Sequence, residues 1–401
     1  MPLAAQDGPL FIERIEVRNH KRVSPDVVIA ESRLHQGRAY SEAELRDAAA
    51  RLSRLPFLLS VDFSLEKGSE RGQYVLVLTI SETKPFFFHL DGVTYFDESP
   101  YTDIEYDDRP GGVDEHLAFG GRWFVGRRGA VHLGFSSAGT DRPFTQDHAS
   151  FAVGYTQYDL FGTRAFATLN IRRPVEGAGE GRLSPQVVVG VPLSPNQTLT
   201  LQYDESRFRD THYDIEGARY ESHFAQRIVS ARWAHNTTND PFFPTEGTVL
   251  SVVPHYAWAD GVTSYIFPPA DVEERRVRHT RTYGVRAGAA RFMELSERSS
   301  VWGDVRGDWA RADAGSPSFW PYDNGASSAG IGAGYAFSLW TREERARGDS
   351  RFELTGRYTL QIDREHEPEY FPGDRNVWQA SASWIRRSSW GTLRLGLGYA
   401  W

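Results

Sequence analysis

The last twelve residues of the chain, 390–401, alternate strictly between two kinds of side chain. Successive side chains of a β-strand point to opposite faces, so residues two apart share a face. One face of this stretch carries only apolar side chains, namely Leu393, Leu395, Leu397, Tyr399 and Trp401. The other face carries small and polar residues. The pattern is typical of a closing strand of a membrane barrel, with lipid outside and water inside. An ordinary half-buried antiparallel strand has the same alternation.

The composition restricts the classes of protein that this chain can form. The 401 residues include 24 Phe, 18 Tyr, 11 Trp and 37 Gly, a mixture rich in strand and turn formers. Mean hydropathy is -0.49, and no apolar run approaches the roughly 18–20 residues of a membrane-spanning helix. A helical membrane protein is therefore excluded. The net charge of -8 provides no basic surface for nucleic acid, and the absence of cysteine excludes disulfides and thiolate metal sites.

Residues 85–401 contain repeated strand-like segments separated by turn residues. We count about sixteen, including weaker ones at 86–95 and 101–107. Longer polar connectors are expected at 138–148, 207–222, 260–276, 313–326, 341–349 and 363–375. Long connectors that alternate with short ones are typical of a membrane barrel with outer loops and inner turns.

The two faces of the regular segments differ in the way a barrel requires. Within residues 351–360, Phe352 and Leu354 share one face, whereas Arg351 and Glu353 share the other. Charges on an inner face are costly in the dry core of a sandwich, but they suit a water-filled lumen. We therefore predict an antiparallel transmembrane β-barrel at residues 85–401.

The first part of the chain has a different organisation. Residues 1–10 are expected to be a flexible N-terminus, and residues 11–84 give the order β-α-α-β-β. Ser41 and Glu44 have the spacing of a capping box at the start of the second helix. Two helices on one face of a small sheet make an α+β domain.

Short motifs in both parts resemble one known family. Ile15-Glu-Val-Arg-Asn-His20, Gly37-Arg-Ala-Tyr40 and Leu55-Pro-Phe-Leu-Leu-Ser-Val-Asp-Phe63 resemble a POTRA domain, the periplasmic module of BamA/TamA-type outer-membrane proteins. The stretch from Asn236 to Gly247 resembles a turn of the barrels of that superfamily.

Four residues of this turn are its candidate structural residues: Asp240, Pro241, Pro244 and Gly247. The prolines stiffen the turn, and the glycine permits a positive φ angle. Together with the C-terminal strand, these motifs identify the chain as similar to the BamA/TamA superfamily, with one POTRA domain and a barrel of about sixteen strands.

One feature of the superfamily is not matched. Its members carry an Arg-Gly-aromatic tripeptide in a loop folded into the lumen. The corresponding loop here, Phe319-Trp-Pro-Tyr-Asp-Asn-Gly-Ala326, has no such arginine. Val305-Arg306-Gly307-Asp308 is the nearest match, which makes Arg306 the candidate lumen arginine, although it lies within a predicted strand and is followed by Asp308.

The resemblance implies a non-enzymatic protein of the bacterial outer membrane, with its N-terminal domain in the periplasm. Such a protein inserts or exports polypeptide, binding an extended client along a sheet edge of the POTRA domain. The implied partners are outer-membrane lipids, unfolded clients and accessory periplasmic proteins or lipoproteins, without cofactor or nucleic acid. A passive channel or surface-anchoring barrel, with the POTRA-like domain as plug or anchor, is the alternative.

The sequence contains no recognisable catalytic or metal-binding motif. No HExxH, HxH or GxSxG pattern is present. Asp210 and His212 lie in a predicted outer loop, so a hydrolase at the barrel rim is a third hypothesis, and a solvated loop is the alternative.

Overall fold

The computed structural model describes residues 9–53, 55, 57–97, 113–125, 128–138, 150–158, 160–163, 165–174, 183–194, 196–213, 219–240, 243–267, 272–312, 327–340, 349–362 and 375–400. Within them, the strands form a four-stranded N-terminal sheet and a closed barrel. None of the described helices is long and apolar enough to cross a membrane.

The N-terminal domain has two helices packed on one mixed sheet. Its elements are β1 (Leu10–Arg18), α1 (Pro25–Ser32), β2 (Arg38–Tyr40), α2 (Glu42–Ser53), β3 (Leu58–Lys67) and β4 (Gln73–Glu82). The strand order is β2-β1-β4-β3. Apolar residues from the helices and from one face of the sheet form a single buried core, which includes Ile12, Leu45, Leu52 and Leu76. The fold class predicted for this domain is confirmed, with one addition, the three-residue β2 between the helices.

The second helix begins as its capping residues predict. The backbone N–H of Ser41 donates to Oε2 of Glu44 over 2.7 Å, and the backbone N–H of Glu44 donates to Oγ of Ser41 over 3.3 Å. These two bonds satisfy N–H groups that have no partner inside the helix. The backbone N–H and the hydroxyl of Ser41 both donate to the Glu44 carboxylate, and these bonds hold the pKa of that carboxyl below its ordinary value.

The barrel contains fifteen strands among the described residues, β5 to β19. They are β5 (Phe86–Asp97), β6 (Val113–Val125), β7 (Gly129–Ala138), β8 (Ser150–Gln157), β9 (Phe166–Pro174), β10 (Ser184–Ser194), β11 (Gln197–Tyr213), β12 (Arg219–Asn236), β13 (Gly247–Phe267), β14 (Val272–Ser296), β15 (Ser299–Ala312), β16 (Ser327–Ser338), β17 (Asp349–Ile362), β18 (Arg375–Ser388) and β19 (Gly391–Ala400). Each pairs with its neighbours in chain order, and β19 pairs with β5.

The ring closes with one strand fewer than the sixteen predicted. The weak segment at 101–107 lies outside the described residues, and β5 pairs directly with β6, so the ring is complete without it. In an up-and-down barrel with an odd number of strands, the first and last strands run in the same direction. The pairing of β19 with β5 is accordingly parallel, whereas the other described barrel pairs are antiparallel.

The predicted assignment of faces is confirmed. Leu395, Leu397 and Tyr399 of β19 are exposed, and so are Phe352 and Leu354 of β17. The opposite face of β17 is polar and enclosed, because Arg351 and Glu353 are buried and form an ion pair. A broad exposed apolar surface around a closed sheet is what a membrane barrel presents to lipid.

Two of the predicted loops are wrong. The expected connectors at 207–222 and 260–276 are largely strand, since β11 continues to Tyr213 and β13 continues to Phe267. Asp210 and His212 therefore lie within β11, paired with residues of β12. The polar composition of this segment is also typical of a loop. Polar side chains do not prevent strand formation outside a membrane, because the backbone N–H and C=O groups pair with those of the neighbouring strand. The other long connectors lie mostly outside the described residues.

Candidate functional site

The N-terminal domain meets the barrel at one mouth. Phe57, just before β3, packs edge-on against Phe124 of β6, with ring centroids 6.4 Å apart. The backbone N–H of Lys84 donates to the carbonyl of Ser389, between β18 and β19, over 2.7 Å. The domain is thus attached at the mouth where β5 begins, next to the closing strand. We call this end the near mouth.

The described parts of the connector between β12 and β13, residues 237–240 and 243–246, fold into the lumen at the near mouth. Oδ1 of Asp240 accepts a hydrogen bond from Nη1 of Arg387 over 2.9 Å, and the same nitrogen lies 3.1 Å from Oδ2. Arg387 belongs to β18, five positions around the ring from β13. A contact between such distant strands requires the turn to cross the interior of the barrel. We call these described residues, 237–240 and 243–246, the luminal turn.

Hydrogen bonds within the luminal turn give it a defined shape. Oδ1 of Asn239 accepts from the backbone N–H groups of Thr245 (3.1 Å) and Glu246 (3.3 Å). Oδ1 of Asp240 accepts from the backbone N–H of Phe243 over 2.9 Å, which fixes the direction of the carboxylate. Asn and Asp side chains that accept from nearby backbone N–H groups are typical of tight turns. The carboxylate that faces Arg387 is therefore oriented by its own turn.

Gly247 allows the chain to leave the turn and enter β13. Its φ angle is +113°, and a Cβ atom placed on it would lie 2.5 Å from the carbonyl oxygen of Thr237. Side chains other than glycine are strained in this conformation. The role of Gly247 as a structural residue of the turn remains a prediction. Pro244 lies in the turn, and Pro241 lies outside the described residues.

Phe243 fixes the tip of the luminal turn between two guanidinium groups. The Cζ atom of Arg351 is 4.5 Å from its ring centroid and that of Arg387 is 5.2 Å away. The Phe243 side chain is 3% exposed, and both arginines are also buried. Cation–π contacts of this kind gain strength when they are shielded from water. The turn is thus held to the opposite wall by an ion pair and an aromatic contact.

Sequence reasoning did not identify Phe243 or Arg387 as site residues. The alternation of β18 places Arg387 on the inner face, and this signal was available from the sequence. The contact with Asp240 spans 147 residues and depends on closure of the ring.

Arg306, the candidate lumen arginine, is on the inner face of β15. Its neighbour Val305 is 54% exposed on the outer face, as the alternation of a strand requires. Nε of Arg306 lies 3.2 Å from Oδ1 of Asp304, whose other oxygen is 3.3 Å from Arg357. The residue therefore belongs to the inner wall, and its functional role remains a prediction.

The seam between β19 and β5 is fully paired. Ten residue pairs connect the strands, from Gly391 with Phe88 to Ala400 with Asp97. A side-chain bond also crosses the seam, between Nδ1 of His89 and Oγ1 of Thr392 at 2.7 Å. The predicted closing row faces outward at Leu395, Leu397 and Tyr399. Leu393 is half-buried, and Trp401 lies outside the described residues.

The N-terminal sheet ends on an open edge strand. β3 is ten residues long and pairs with β4 on one side, while the described part of the chain places no strand on its other side. The opposite edge is different, because β2 covers the first residues of β1. An unpaired strand presents N–H and C=O groups that can pair with another chain. The exposed residues along β3 are polar and include Asp62, Ser64 and Glu66.

Among the described residues, no group of three or more His, Asp or Glu side chains is placed to hold a metal ion. The features that the structure brings together are the luminal turn, the seam beside it and the open edge of β3.

Comparisons with known proteins gave matches among solved structures. No protein-family profile matches the sequence, and no curated protein does. BamA from Haemophilus ducreyi, in a structure lacking POTRA domains 1–3, is 12% identical with a TM-score of 0.43, covering 98% of this chain and 85% of that one. CdiB from Acinetobacter baumannii is 11% identical with a TM-score of 0.48, covering 93% of this chain and 60% of that one. CdiB from Escherichia coli is 13% identical with a TM-score of 0.38, covering 94% of this chain and 70% of that one. The matched regions cover 93–98% of this chain in the three comparisons.

Proposed function

We propose that the protein inserts or exports polypeptide at a bacterial outer membrane, without catalysing a chemical reaction. The observation that carries this proposal is the open edge of β3, which begins directly after Phe57, where the N-terminal domain contacts the barrel. An extended client bound along β3 would lie beside both exits that the barrel offers, the lumen and the seam. The N-terminal domain then faces the periplasm, where unfolded clients arrive.

Client binding along β3 would rely mainly on the backbone. A strand added to a sheet edge gains main-chain hydrogen bonds, and these bonds do not depend on the client's sequence. The polar side chains of β3, such as Asp62 and Ser64, keep this edge soluble while it is unoccupied. Such an edge accepts many clients, and accessory periplasmic proteins or lipoproteins would add selectivity.

The two exits make different demands on the barrel. Passage through the lumen requires displacement of the luminal turn, since Asp240 and Phe243 hold it against the far wall. Insertion into the membrane requires the seam to open, and β5 and β19 would each then offer a free strand edge to the client. Opening breaks the ten-residue ladder between them.

The absence of cysteine permits a direct test of seam opening. His89 and Thr392 are paired neighbours in the register, and adjacent strands are close enough for a disulfide. In cells depleted of the wild-type protein, the double variant His89→Cys/Thr392→Cys should restore the outer-membrane proteome only in the presence of a reductant. Each single cysteine variant is the control and should restore it in both conditions.

Client binding is tested separately at the edge. A Ser64→Cys variant carrying a photo-crosslinker should capture unfolded outer-membrane clients, whereas the same label at exposed Ala30 on α1 should not. An outer-membrane proteome unchanged by depletion, together with no capture at residue 64, would contradict the proposed function.

The alternative is a passive channel with the N-terminal domain as anchor. The complete pairing of β19 with β5 favours this alternative, because a passive channel needs a wall that stays closed. It predicts ion conductance without any effect of depletion on other outer-membrane proteins. If the oxidised His89→Cys/Thr392→Cys variant restored the outer-membrane proteome fully, the seam would not have to open, and a client would pass through the lumen.

A further inference from the structure

The outer face of β11–β14 carries charged residues above an aromatic row. The register aligns Tyr203, Val229, Tyr256 and Tyr283 across the four strands. Val229, Tyr256 and Tyr283 are 44%, 42% and 40% exposed, as expected of side chains that face lipid. The next two rows, farther from the near mouth, contain six charged or titratable residues on the same face. We call them the outer charged patch: Glu205, Arg207, Arg227, Asp260, His279 and Arg281.

The distance of the patch from the near mouth places it at the level of a membrane surface. Along β13, Val252, Pro254, Tyr256 and Trp258 face outward before Asp260. A tilted barrel strand rises about 2.5 Å per residue along the membrane normal, so Trp258 lies roughly 25–30 Å from Gly247 at the near mouth. An apolar barrel band is about 25 Å tall and ends in an aromatic girdle. The patch therefore begins where the hydrocarbon region ends.

Ion pairs connect the patch across its strands. Arg227 lies 3.1 Å from Oδ2 of Asp260 and 3.7 Å from Oε1 of Glu205. Nδ1 of His279 lies 2.8 Å from Oδ1 of Asp260, and the hydroxyl of Tyr203 donates to Glu205 over 3.0 Å. These contacts fix the side chains in place before any ligand arrives. Pre-organisation reduces the entropy lost on binding.

The patch has an excess of positive charge, concentrated at Arg281. Three arginines face two carboxylates, and His279 adds charge when it is protonated. Arg281 is exposed and makes no ion pair or hydrogen bond with any residue that the structure describes. It lines an open recess of about 320 Å³ together with Tyr256, Trp258 and His279. This recess combines a free guanidinium, an indole ring and an adjoining apolar band.

We propose that the outer charged patch binds the phosphate of an anionic lipid headgroup, with Arg281 as its principal donor. The planar guanidinium forms paired hydrogen bonds with phosphate oxygens. Trp258 and Tyr256 would contact the region where the headgroup joins its acyl chains. The lipid belongs to the leaflet farther from the N-terminal domain. The inference rests on the proposed function only for the location of the barrel in a membrane, and it is independent of any polypeptide client.

Arg281→Gln tests the site, and Arg291→Gln is its matched control. Arg291 is an exposed residue on the outer face of the same strand, five outward positions closer to the near mouth, and it lies outside the recess. Binding of dimyristoylphosphatidylglycerol to the purified full-length protein in detergent micelles can be measured by native mass spectrometry. We expect Arg281→Gln to weaken binding roughly tenfold, as loss of a charged hydrogen bond implies. Arg291→Gln should change it less than twofold.

Two further binding measurements distinguish a site for an anionic lipid from a site for a free anion. A neutral diacylglycerol should bind equally to all three proteins, and millimolar inorganic phosphate should not displace phosphatidylglycerol. Equal losses in both variants, no loss in Arg281→Gln, or displacement by inorganic phosphate alone would overturn the proposal. Heat-modifiable mobility checks that each variant is folded. A wild-type protein that does not enter bilayers would refute the membrane location instead, which separates failure of the proposed function from failure of the patch.

Discussion

At the residue scale, Gly247, the residue directly after the luminal turn, has a backbone conformation that any side chain would strain. We expect Gly247→Ala to lower the free energy of unfolding by about 1–3 kcal/mol, the usual cost of a strained backbone conformation. Its Cβ atom would lie within 2.6 Å of Thr238 Cα as well as close to the carbonyl of Thr237. Urea unfolding of the barrel in detergent measures this change. Gly356→Ala is the control, because a Cβ there meets no atom within 4 Å, and equal stability losses would contradict the prediction.

Glu82 should make the stability of the N-terminal domain depend on acid pH. Burial raises the pKa of its carboxyl, but the backbone N–H groups of Lys21, Arg22 and Val23 donate to it and lower that pKa to a net value below 4.5. The folded pKa is therefore lower than the unfolded one. The stabilisation is present above pH 4.5 and is lost as pH falls through the folded pKa.

Glu82→Gln should remove this acid-dependent component and lower stability near neutral pH by about 1–3 kcal/mol. Hydrogen exchange at the amides of Lys21, Arg22 and Val23 in the full-length protein, corrected for intrinsic rates, reports it directly. Protection should fall with acid in the wild type and in the control Glu31→Gln. A variant Glu82→Gln with the same pH dependence as the wild type would refute the assignment.

At the scale of elements, the luminal turn should restrict the pore. Asp240→Asn removes the negative charge that faces buried Arg387, and breaking a buried ion pair costs about 3 kcal/mol. The turn should then leave the wall more often, since its contact with Arg387 is weakened. We expect more frequent and larger conductance steps in planar bilayers.

The control for this variant is Asp308→Asn, which removes an ion pair between Asp308 and Arg286 on neighbouring strands of the wall. It leaves the luminal turn intact and should not change the frequency of opening. Identical conductance of Asp240→Asn and wild-type protein would show that the turn does not control access to the lumen.

At the scale of the whole molecule, the outward apolar surface should decide whether the barrel assembles in a membrane. Leu395 and Leu397 are 46% and 62% exposed on the outer face of the closing strand. Two aspartates there would each place a carboxylate against lipid, which is unfavourable by about 2–3 kcal/mol near the membrane centre. We expect Leu395→Asp/Leu397→Asp to abolish the heat-modifiable, membrane-extracted form. The inner-face variant Thr355→Asp/Thr359→Asp should assemble, and normal assembly of the outer-face variant would count against a lipid-facing surface.

The sequence by itself determined the local structure and the two faces of the barrel wall. The capping box at Ser41 and Glu44, the positive φ at Gly247 and the outward row ending at Tyr399 all follow from neighbouring residues. Periodicity of two and turn chemistry are local properties, so they can be recognised without knowing the fold.

Only the tertiary structure decided whether the number of barrel strands is odd or even, and which side chains contact one another in the lumen. The number of strands depends on which segments pair, and the direct pairing of β5 with β6 depends on a neighbour that neither segment specifies by itself. The odd number then makes the seam between β19 and β5 parallel. The contact of Asp240 and Phe243 with Arg387 exists because ring closure places β18 opposite β13, a relation that depends on the shape of the whole barrel.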